Sequence, residues 1–431
     1  MKQRRALGAV AMVCAAHGVV SGSFATRVPW ISSHLELSAG SLGLALLAPA
    51  LGALVVTPLA PRLVAAWGGR RTTRTAALAY TLSLMTPAFA PNLAVLWVTL
   101  LGMGVAAGVC DVAMKSQGHA LETRVGRPVM SKLYGAWSVG TLAGAAIGTV
   151  ATLSGVDARL HLVWVALGLA VLAASASVAL PASPPPARRA AEPRTRATLP
   201  RPSRMLVAVV AVAFCATFAE ASAHTWSAQY IADVTKSGPT VSCFGFAAFV
   251  AAMATGRLSG DVLMRRFGGP RLVQTGGLLA VAGGALVVLA RTPLPGMVGF
   301  AVLGLGIAVV MPVALGAGAE AGSSASQGIT AVLGCVQLAA MVAPGAIGAV
   351  GSLVSLPVAF AAVVAATVPV VLLATAMRPQ PTVEAEPVAA AEPVTYAVGR
   401  VVLDGPVMGE QLDPTLEMPA FTRGEEALAA A

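Results

Sequence analysis

The segment LVAAWGGRR at residues 63–71 recurs as LMRRFGGPR at residues 263–271, 200 positions further along the chain. The same offset brings AGAAIGTV at 143–150 onto APGAIGAV at 343–350, and Trp30-Ile31 onto Tyr230-Ile231. A constant offset at three separated places indicates an internal duplication. The sequence therefore predicts two related halves.

The composition is that of a membrane protein. Of the 431 residues 57% are hydrophobic and only 11% are charged, and the mean hydropathy is +0.80. Soluble domains carry about 25% charged residues. Apolar runs of about 20 residues, long enough to cross a bilayer as a helix, recur along the chain. We predict twelve spans, at 6–28, 40–62, 74–91, 93–116, 134–154, 159–181, 205–231, 239–260, 271–290, 294–319, 328–351 and 355–377.

Each span is expected to be helical, because backbone polar groups find no water partner inside the hydrocarbon. The fold class is thus an all-α polytopic membrane protein with 12 transmembrane helices in two six-helix repeats. We predict a first bundle at 1–180, a Pro- and Arg-rich linker at 181–204, a second bundle at 205–377 and a disordered acidic tail at 378–431. The basic, apolar N-terminus could also be read as a signal peptide, but the duplication favours a retained first helix.

The positive charges predict the orientation. With the N-terminus inside, 21 of the Lys and Arg side chains up to residue 377 fall in cytoplasmic segments and 4 in outer segments. The positive-inside rule then places both termini and the linker in the cytoplasm, at the inner membrane. The formal charge of +10 is explained by contact with anionic lipid headgroups rather than with nucleic acid.

Other chemistries find little support in the sequence. The five cysteines all fall inside predicted spans without CxxC spacing, so we expect no disulfide, no metal site and no cofactor. There is no Walker motif and no nucleophile–base constellation, so we expect neither direct ATP use nor an enzyme. Gly140, Gly144 and Gly148 recur every four residues, a spacing that lets helices approach closely.

Two kinds of motif resemble a known family. GRLSGDVLMRRFGGPR at 256–271 is similar to the loop between the second and third helices of a half in the major facilitator superfamily. The stretches 27–47, 111–140 and 220–230 resemble a bacterial branch near the fucose permeases. The chain departs from these patterns at four positions: Pro61 replaces the loop acid, and Lys115, Tyr134 and Thr225 stand where we expect Asn, His and Asp.

The resemblance implies a monomeric secondary transporter that works by alternating access, with helices 1, 4, 7 and 10 lining a central cavity. Its partners would be a small-molecule substrate, protons and membrane lipid. A sugar-like or other small polar solute is favoured. The alternatives are proton-driven efflux of amphipathic compounds and a membrane sensor that has lost transport.

Glu220 is the first candidate for the cavity. It lies near the middle of the seventh span, among Ala, Ser, Thr and Phe. An ionised carboxylate there costs several kcal/mol unless it is paired, so we expect Glu220 to exchange protons or to bind substrate. The alternative is a protonated carboxyl group that donates a hydrogen bond to a neighbouring helix.

Further cavity candidates lie at similar depth or near the outer mouth. His17 and His224 could share a proton with Glu220, or could be buried core histidines. Arg27, just before Pro29, could bind a solute at the outer mouth, anchor to lipid or pair between helices. Trp226 and Trp137 could stack on a ring, whereas Trp30 and Tyr230 suit the interfacial belt. Gln337 occupies the repeat position of Trp137.

A second set of charges predicts a cytoplasmic gate. Asp111 could bind an Arg of the loop at 62–74 as a latch, pair with Lys115 four residues on, or serve as a substrate or proton site. In the second half we expect Glu320 to meet Arg257 or Arg265. The predicted gate residues are Asp111, Lys115, Arg62, Arg70, Arg71, Arg257, Asp261, Arg265 and Glu320.

Overall fold

The computed structural model describes residues 2–125, 129–180, 203–322 and 324–377. Within these ranges a few side chains are not described, namely those of Lys2, Thr123, Arg124, Val125, Ser131, Pro239, Asp261, Ala325 and Ser326. The predicted linker, apart from Ser203 and Arg204, and the predicted acidic tail lie outside the described residues.

The described chain is built from helices that run back and forth through one bundle. Its first half contains α1 (Lys2–His34), α2 (Ala39–Val56), α3 (Ala60–Trp67), α4 (Gly69–Ser83), α5 (Leu93–Val125), α6 (Met130–Leu153) and α7 (Ala158–Val178). Its second half contains α8 (Arg204–Val234), α9 (Pro239–Phe267), α10 (Gly269–Leu289), α11 (Pro293–Ile307), α12 (Val310–Ala321), α13 (Ala325–Leu353) and α14 (Leu356–Leu372). Short 3-10 turns follow α4 at Thr86–Phe89 and α14 at Ala374–Met377.

The duplication is visible in the helix boundaries. The helices α2, α4 and α5 begin at residues 39, 69 and 93, and α9, α10 and α11 begin 200 positions later. Gly68 and Gly268 terminate equivalent helices with φ angles of 80° and 76°. This backbone conformation is one that glycine adopts without the steric cost that a Cβ brings. The two Gly-Gly pairs quoted above therefore make the same turn in each half.

The twelve predicted spans correspond to these helices, with α2–α3 and α11–α12 each forming one crossing. In the described part of the chain ten segments are long and apolar enough to cross a membrane. The two shorter crossings are α4, which has 15 residues and begins with charged and hydroxyl side chains, and α14, which has 17 residues. Several helices extend beyond the predicted spans, as α1 does to His34 and α9 to Phe267.

We call the end of the bundle that contains the start of α1, Leu180 and Ser203 the linker face, and the opposite end the far face. Helix starts at both faces are capped by local side chains. Ser38 and Ser355 accept hydrogen bonds from backbone N–H groups of α2 and α14 at the far face, and Ser203 does so for α8 at the linker face. These caps satisfy N–H groups that have no partner within their helix.

The two halves meet near the far face. Gly43 of α2 lies against Gly348 of α13, where a Cβ added to Gly43 would lie 2.6 Å from the Gly348 Cα atom. One apolar cluster joins residues of both halves, among them Val28, Leu42 and Leu46 with Ala223, Trp226 and Phe246. The structure is thus closed at the far face.

Within the first half, α1 packs closely on α6 through the predicted glycine stripe. Gly140, Gly144 and Gly148 lie against Ala15, Val19 and Thr26 respectively. A Cβ on Gly144 would lie 2.9 Å from the Val19 Cα atom, so the helices would have to separate to accept a side chain.

Substituting Gly144 with valine should destabilise the protein by about 1–3 kcal/mol or more, because the added side chain overpacks the α1–α6 contact. Thermal unfolding of the purified protein in detergent measures this loss. The matched control is Gly135→Val in the same helix, since Gly135 has open space where its Cβ would be placed. Equal melting temperatures for the two variants would contradict the packing role of the stripe.

Candidate functional site

A small, partly open cavity lies between the halves. The first half contributes Trp137, Ser138 and Thr141, which lie on one side of α6. The second half contributes Glu220 and His224 from α8 and Val250, Met253, Ala254 and Arg257 from α9. The cavity is therefore shared by the two repeats, as a site for alternating access requires.

Glu220 and Arg257 form an ion pair in this cavity. An Arg257 terminal guanidinium nitrogen donates to the Glu220 carboxylate at 2.6 Å, and the two side chains are 21% and 28% exposed. The pair gives the Glu220 carboxylate a charged partner and places Arg257 in the cavity, where the sequence did not predict it; a role of Arg257 in the gate stays a prediction. Arg257 reaches the cavity because α9 continues to Phe267 and so places it deeper than a helix ending at 260 would.

His17 is connected to the cavity through Trp137. The Trp137 indole N–H donates to His17 Nδ1 at 3.2 Å, and the His17 ring lies 4.4 Å from the Tyr80 ring. Because Nδ1 accepts, a neutral His17 carries its proton on Nε2, which is buried without a partner among the described residues. The sharing of a proton between His17 and Glu220 stays a prediction; the contacts described for His17 are with Trp137 and Tyr80.

His224 lies one turn after Glu220 and lines the same cavity. Its ring meets the Phe246 ring edge-on, with centroids 5.1 Å apart. Its Nε2 atom is buried and has no hydrogen-bond partner in the described part of the chain. His224 and Glu220 therefore lie in the same cavity; that they share a proton stays a prediction.

Three predicted cavity residues lie elsewhere. Arg27 is 4% exposed and donates to His161 Nδ1 at 3.0 Å and to the Val156 carbonyl at 3.2 Å, because α1 continues through Pro29 and buries the side chain. Trp226 is fully buried and donates to the Pro344 carbonyl at 3.2 Å. Gln337 is exposed on α13.

The two aromatic residues predicted for the interfacial belt differ from each other. Trp30 is half-buried and stacks on the His34 ring at 4.7 Å near the far face. Tyr230 is fully buried, and its hydroxyl donates to the Val287 carbonyl at 2.9 Å. The belt prediction is therefore wrong for Tyr230, which packs inside the second half.

Of the alternatives predicted for Asp111 in the first half, the structure shows the ion pair with Lys115. Lys115 donates to Asp111 at 2.7 Å along α5, and its ammonium group lies 5.8 Å from the Tyr134 ring. Arg70 donates to the Ser177 and Val178 carbonyls at the end of α7. An arginine here satisfies carbonyls that the helix leaves unpaired. The latch between Asp111 and an Arg of the loop is not formed in this conformation.

The other predicted gate residues lie near the linker face. Arg62 and Arg71 are exposed, as are Arg265 near the end of α9 and Glu320 near the end of α12. Asp261 lies in α9, and its side chain is outside the described residues.

The sequence did not point to the contacts that join the halves at the far face. Gln229 of α8 donates to Ser32 of α1 at 3.5 Å and to Asp233 at 2.9 Å. The Cys243 thiol donates to the Thr26 carbonyl at 3.3 Å. Ser138 and Thr141 of the cavity were also missed, although Thr141 lies four residues after Trp137 and three after Ser138, and so is a neighbour of both on the surface of α6.

Comparison with known proteins agrees with this architecture. The chain is 32% identical over 298 residues to an uncharacterized transporter, y4wD, of Sinorhizobium fredii, an alignment that covers 69% of this chain and 78% of the relative. The crystal structure of a mutant of the nucleoside transporter NupG superimposes with a TM-score of 0.69 at 11% identity, covering 86% of this chain and 100% of that chain. A bacterial homolog of the human lysosomal transporter Spinster, in an inward-facing and occupied conformation, gives a TM-score of 0.63 at 14% identity, covering 86% and 95%.

The family profile described as Major Facilitator Superfamily matches residues 10–332. Two six-helix halves, a cavity between them and this match together show that the chain is a transporter belonging to the major facilitator superfamily.

Proposed function

We propose that this protein is a proton-coupled carrier that moves a small polar solute across the cytoplasmic membrane, with Glu220 as the group that binds and releases the proton. The observation that carries this proposal is the Glu220–Arg257 ion pair in a cavity shared by both halves. Charged groups inside a membrane protein are costly and mark the paths of ions and substrates.

The pair can respond to a proton in a simple way. When Glu220 is ionised, it neutralises Arg257 and holds α8 and α9 together across the cavity wall. When Glu220 takes up a proton, the charge-assisted bond weakens and the guanidinium becomes available. A proton that moves down its electrochemical gradient can then drive accumulation of the solute.

The orientation of the cavity follows from the charge distribution. Contacts between the halves described above lie near the far face, whereas Asp111, Lys115 and Tyr134 are exposed or half-exposed toward the linker face. If the linker face is cytoplasmic, as the excess of Lys and Arg there predicts, this conformation is the inward-facing one. The gate residues Asp111, Arg62 and Arg71 would then come together in the opposite conformation.

The cavity lining favours a solute with polar groups on a compact body. Ser138 and Thr141 offer hydroxyl groups, and the Trp137 indole offers a flat surface for a ring. A sugar-like solute of the kind implied by the resemblance to the fucose permeases would suit these groups, and NupG is a nucleoside transporter. The apolar wall of Val250, Met253 and Ala254 supports a second candidate, efflux of an amphipathic compound.

The test is Glu220→Gln in proteoliposomes. With an imposed inward proton gradient, a panel of radiolabelled sugars and nucleosides identifies a solute that the wild-type protein accumulates. We expect Glu220→Gln to lose accumulation above equilibrium but to keep solute exchange, because glutamine cannot carry the proton. Glu36→Gln, at an exposed residue between α1 and α2, is the matched control. Proton-driven accumulation by Glu220→Gln at the wild-type level would refute the coupling role.

A further inference from the structure

We propose that the solute carries a carboxylate group, which replaces Glu220 as the partner of Arg257 when Glu220 becomes protonated. The inference rests on the proposed proton coupling and names the substrate class of the same cavity. It comes from the balance of charge among the residues that line the cavity.

Among the described residues that line the cavity, Arg257 is the only cation and Glu220 the only acid. Their 2.6 Å contact leaves the cavity without net charge. Arg257 cannot release its own proton at any physiological pH. A proton that binds to Glu220 therefore leaves one positive charge in the cavity, and something else must balance it.

None of the described side chains on the surrounding helices offers a second anion to Arg257 at the cavity; the side chain of Asp261, one turn after Arg257 on α9, lies outside the described residues. On α8 the nearest titratable group is His224, and α1 contributes His17 behind the Trp137 indole. The described parts of α11 and α14 contain no titratable side chain. The other described titratable groups on these helices do not line the cavity; they are Arg4, Arg5, Cys14, Arg27 and His34 on α1, Lys132 and Tyr134 on α6, Arg204, Cys215, Tyr230 and Asp233 on α8, Cys243, Arg265 and Arg266 on α9, Arg271 on α10, Glu320 on α12 and Cys335 on α13.

A neutral solute would leave the guanidinium, which is only 28% exposed, without a counter-charge where it is only partly hydrated. A carboxylate solves this problem because its two oxygens can accept two parallel N–H bonds from an arginine. Proton and carboxylate would then enter together with no net change in cavity charge. Binding of the proton would increase the affinity for the carboxylate, and binding of the carboxylate would increase the affinity for the proton by the same factor, since binding linkage is reciprocal.

The rest of the cavity describes the body of such a solute. The Trp137 indole and the side chains of Val250, Met253 and Ala254 favour a flat or compact apolar group. The buried, unpartnered Nε2 atom of His224 and the hydroxyl of Ser138 could each bind a further polar substituent. We therefore expect a small aromatic or branched monocarboxylate rather than a dicarboxylate, which would bring a second, unmatched charge.

The experiment uses benzoate as the probe and benzamide as its neutral isostere. Thermal unfolding of the purified full-length protein is measured with each compound at about pH 5.5 and about pH 7.5. In the wild-type protein, benzoate should stabilise at the lower pH and much less at the higher, while benzamide has little effect at either. In Glu220→Gln, benzoate should stabilise at both values, with an apparent affinity at least about tenfold above that for benzamide.

Two further variants test the role of the arginine. The double variant Glu220→Gln/Arg257→Gln should lose the benzoate response, and Arg266→Gln, at an exposed arginine of the same helix, should keep the wild-type response. Should the Glu220 variants fail to fold, proton uptake by the wild-type protein on addition of benzoate, followed with a pH indicator in weak buffer, decides the question. One proton taken up per benzoate bound supports the proposal, and none overturns it.

The proposal is overturned if benzoate and benzamide act alike on Glu220→Gln, or if the double variant still responds to benzoate. Its failure is distinct from failure of the proposed function. Proton-driven accumulation of a neutral sugar or nucleoside that depends on Glu220 would support the coupling and overturn the carboxylate. Benzoate binding that requires Arg257, in a protein that shows no proton-driven transport, would support the carboxylate and overturn the coupling.

Discussion

Replacing Arg257 with glutamine is expected to abolish transport and to lower the stability of the protein by about 2 kcal/mol. The estimate lies between the ~0–1 kcal/mol of an exposed pair and the ~3–5 kcal/mol lost when a fully buried pair is broken. The intermediate value follows from the exposed fractions of 28% for Arg257 and 21% for Glu220. The loss arises because Glu220 would no longer have a charged partner.

The double variant Glu220→Gln/Arg257→Gln separates the two effects. With both charges removed, most of the lost stability should return, because no unpaired charge remains in the cavity. Transport should not return, because neither the proton carrier nor the guanidinium is present. Thermal unfolding and proteoliposome uptake are measured for the wild-type protein, the two single variants Glu220→Gln and Arg257→Gln, and the double variant. Equal stability of the wild-type protein and Arg257→Gln would show that the pair contributes nothing to the fold.

The fold could be predicted from the sequence because it depends on features that are local and repeated. The Gly-Gly pairs at Gly68 and Gly268 mark the same helix end in each half, and their spacing of 200 residues recurs at the helix starts. Apolar runs long enough to cross a bilayer leave few alternatives to helices. The number and order of the crossings therefore followed directly from hydropathy and duplication.

Part of the site could be predicted and part could not, and helix length explains most of the difference. Glu220 and His224 lie one turn apart in the middle of a long apolar run, so their grouping was accessible from spacing alone. Arg27 and Arg257 were placed near the ends of predicted spans, because a charged residue in an apolar run is usually interpreted as the end of the membrane-spanning segment. The helices continue past both residues, so Arg27 became buried in the first half and Arg257 reached the cavity.

The remaining site features depend on conformation, which the sequence does not specify. Asp111 has two types of possible cationic partner, Lys115 on its own helix and the arginines of the loop near the linker face. Only the first pairing is formed when the halves meet at the far face. The contact between Gln229 and Ser32 likewise exists because the structure is closed there. A carrier with two conformations uses one sequence for both sets of contacts.

Closure at the far face should depend strongly on Gly43. A Cβ at this position would lie 2.6 Å from the Gly348 Cα atom, so a valine cannot be accepted while the halves touch. Overpacking of about 1–3 kcal/mol would shift the equilibrium toward the far-open conformation by about 5- to 150-fold. We expect Gly43→Val to fold, because the substitution affects contact between the halves, and to lose transport, because one of the two conformations becomes rare.

Cys243 reports this shift, since it is 1% exposed and lies at the contact with Thr26. In a protein whose other four cysteines are replaced by alanine, a membrane-impermeant maleimide applied from the far face should label Cys243 at least about fivefold faster in Gly43→Val than in the parent. Gly102→Val, on α5 where an added Cβ meets open space, is the matched control and should label like the parent. Unchanged labelling of Gly43→Val together with normal transport would mean that the halves can close without the Gly43–Gly348 contact. Faster labelling in Gly43→Val but not in Gly102→Val would instead show that far-face closure depends on the Gly43–Gly348 contact. There the backbones of the two halves approach each other closely enough to exclude a side chain.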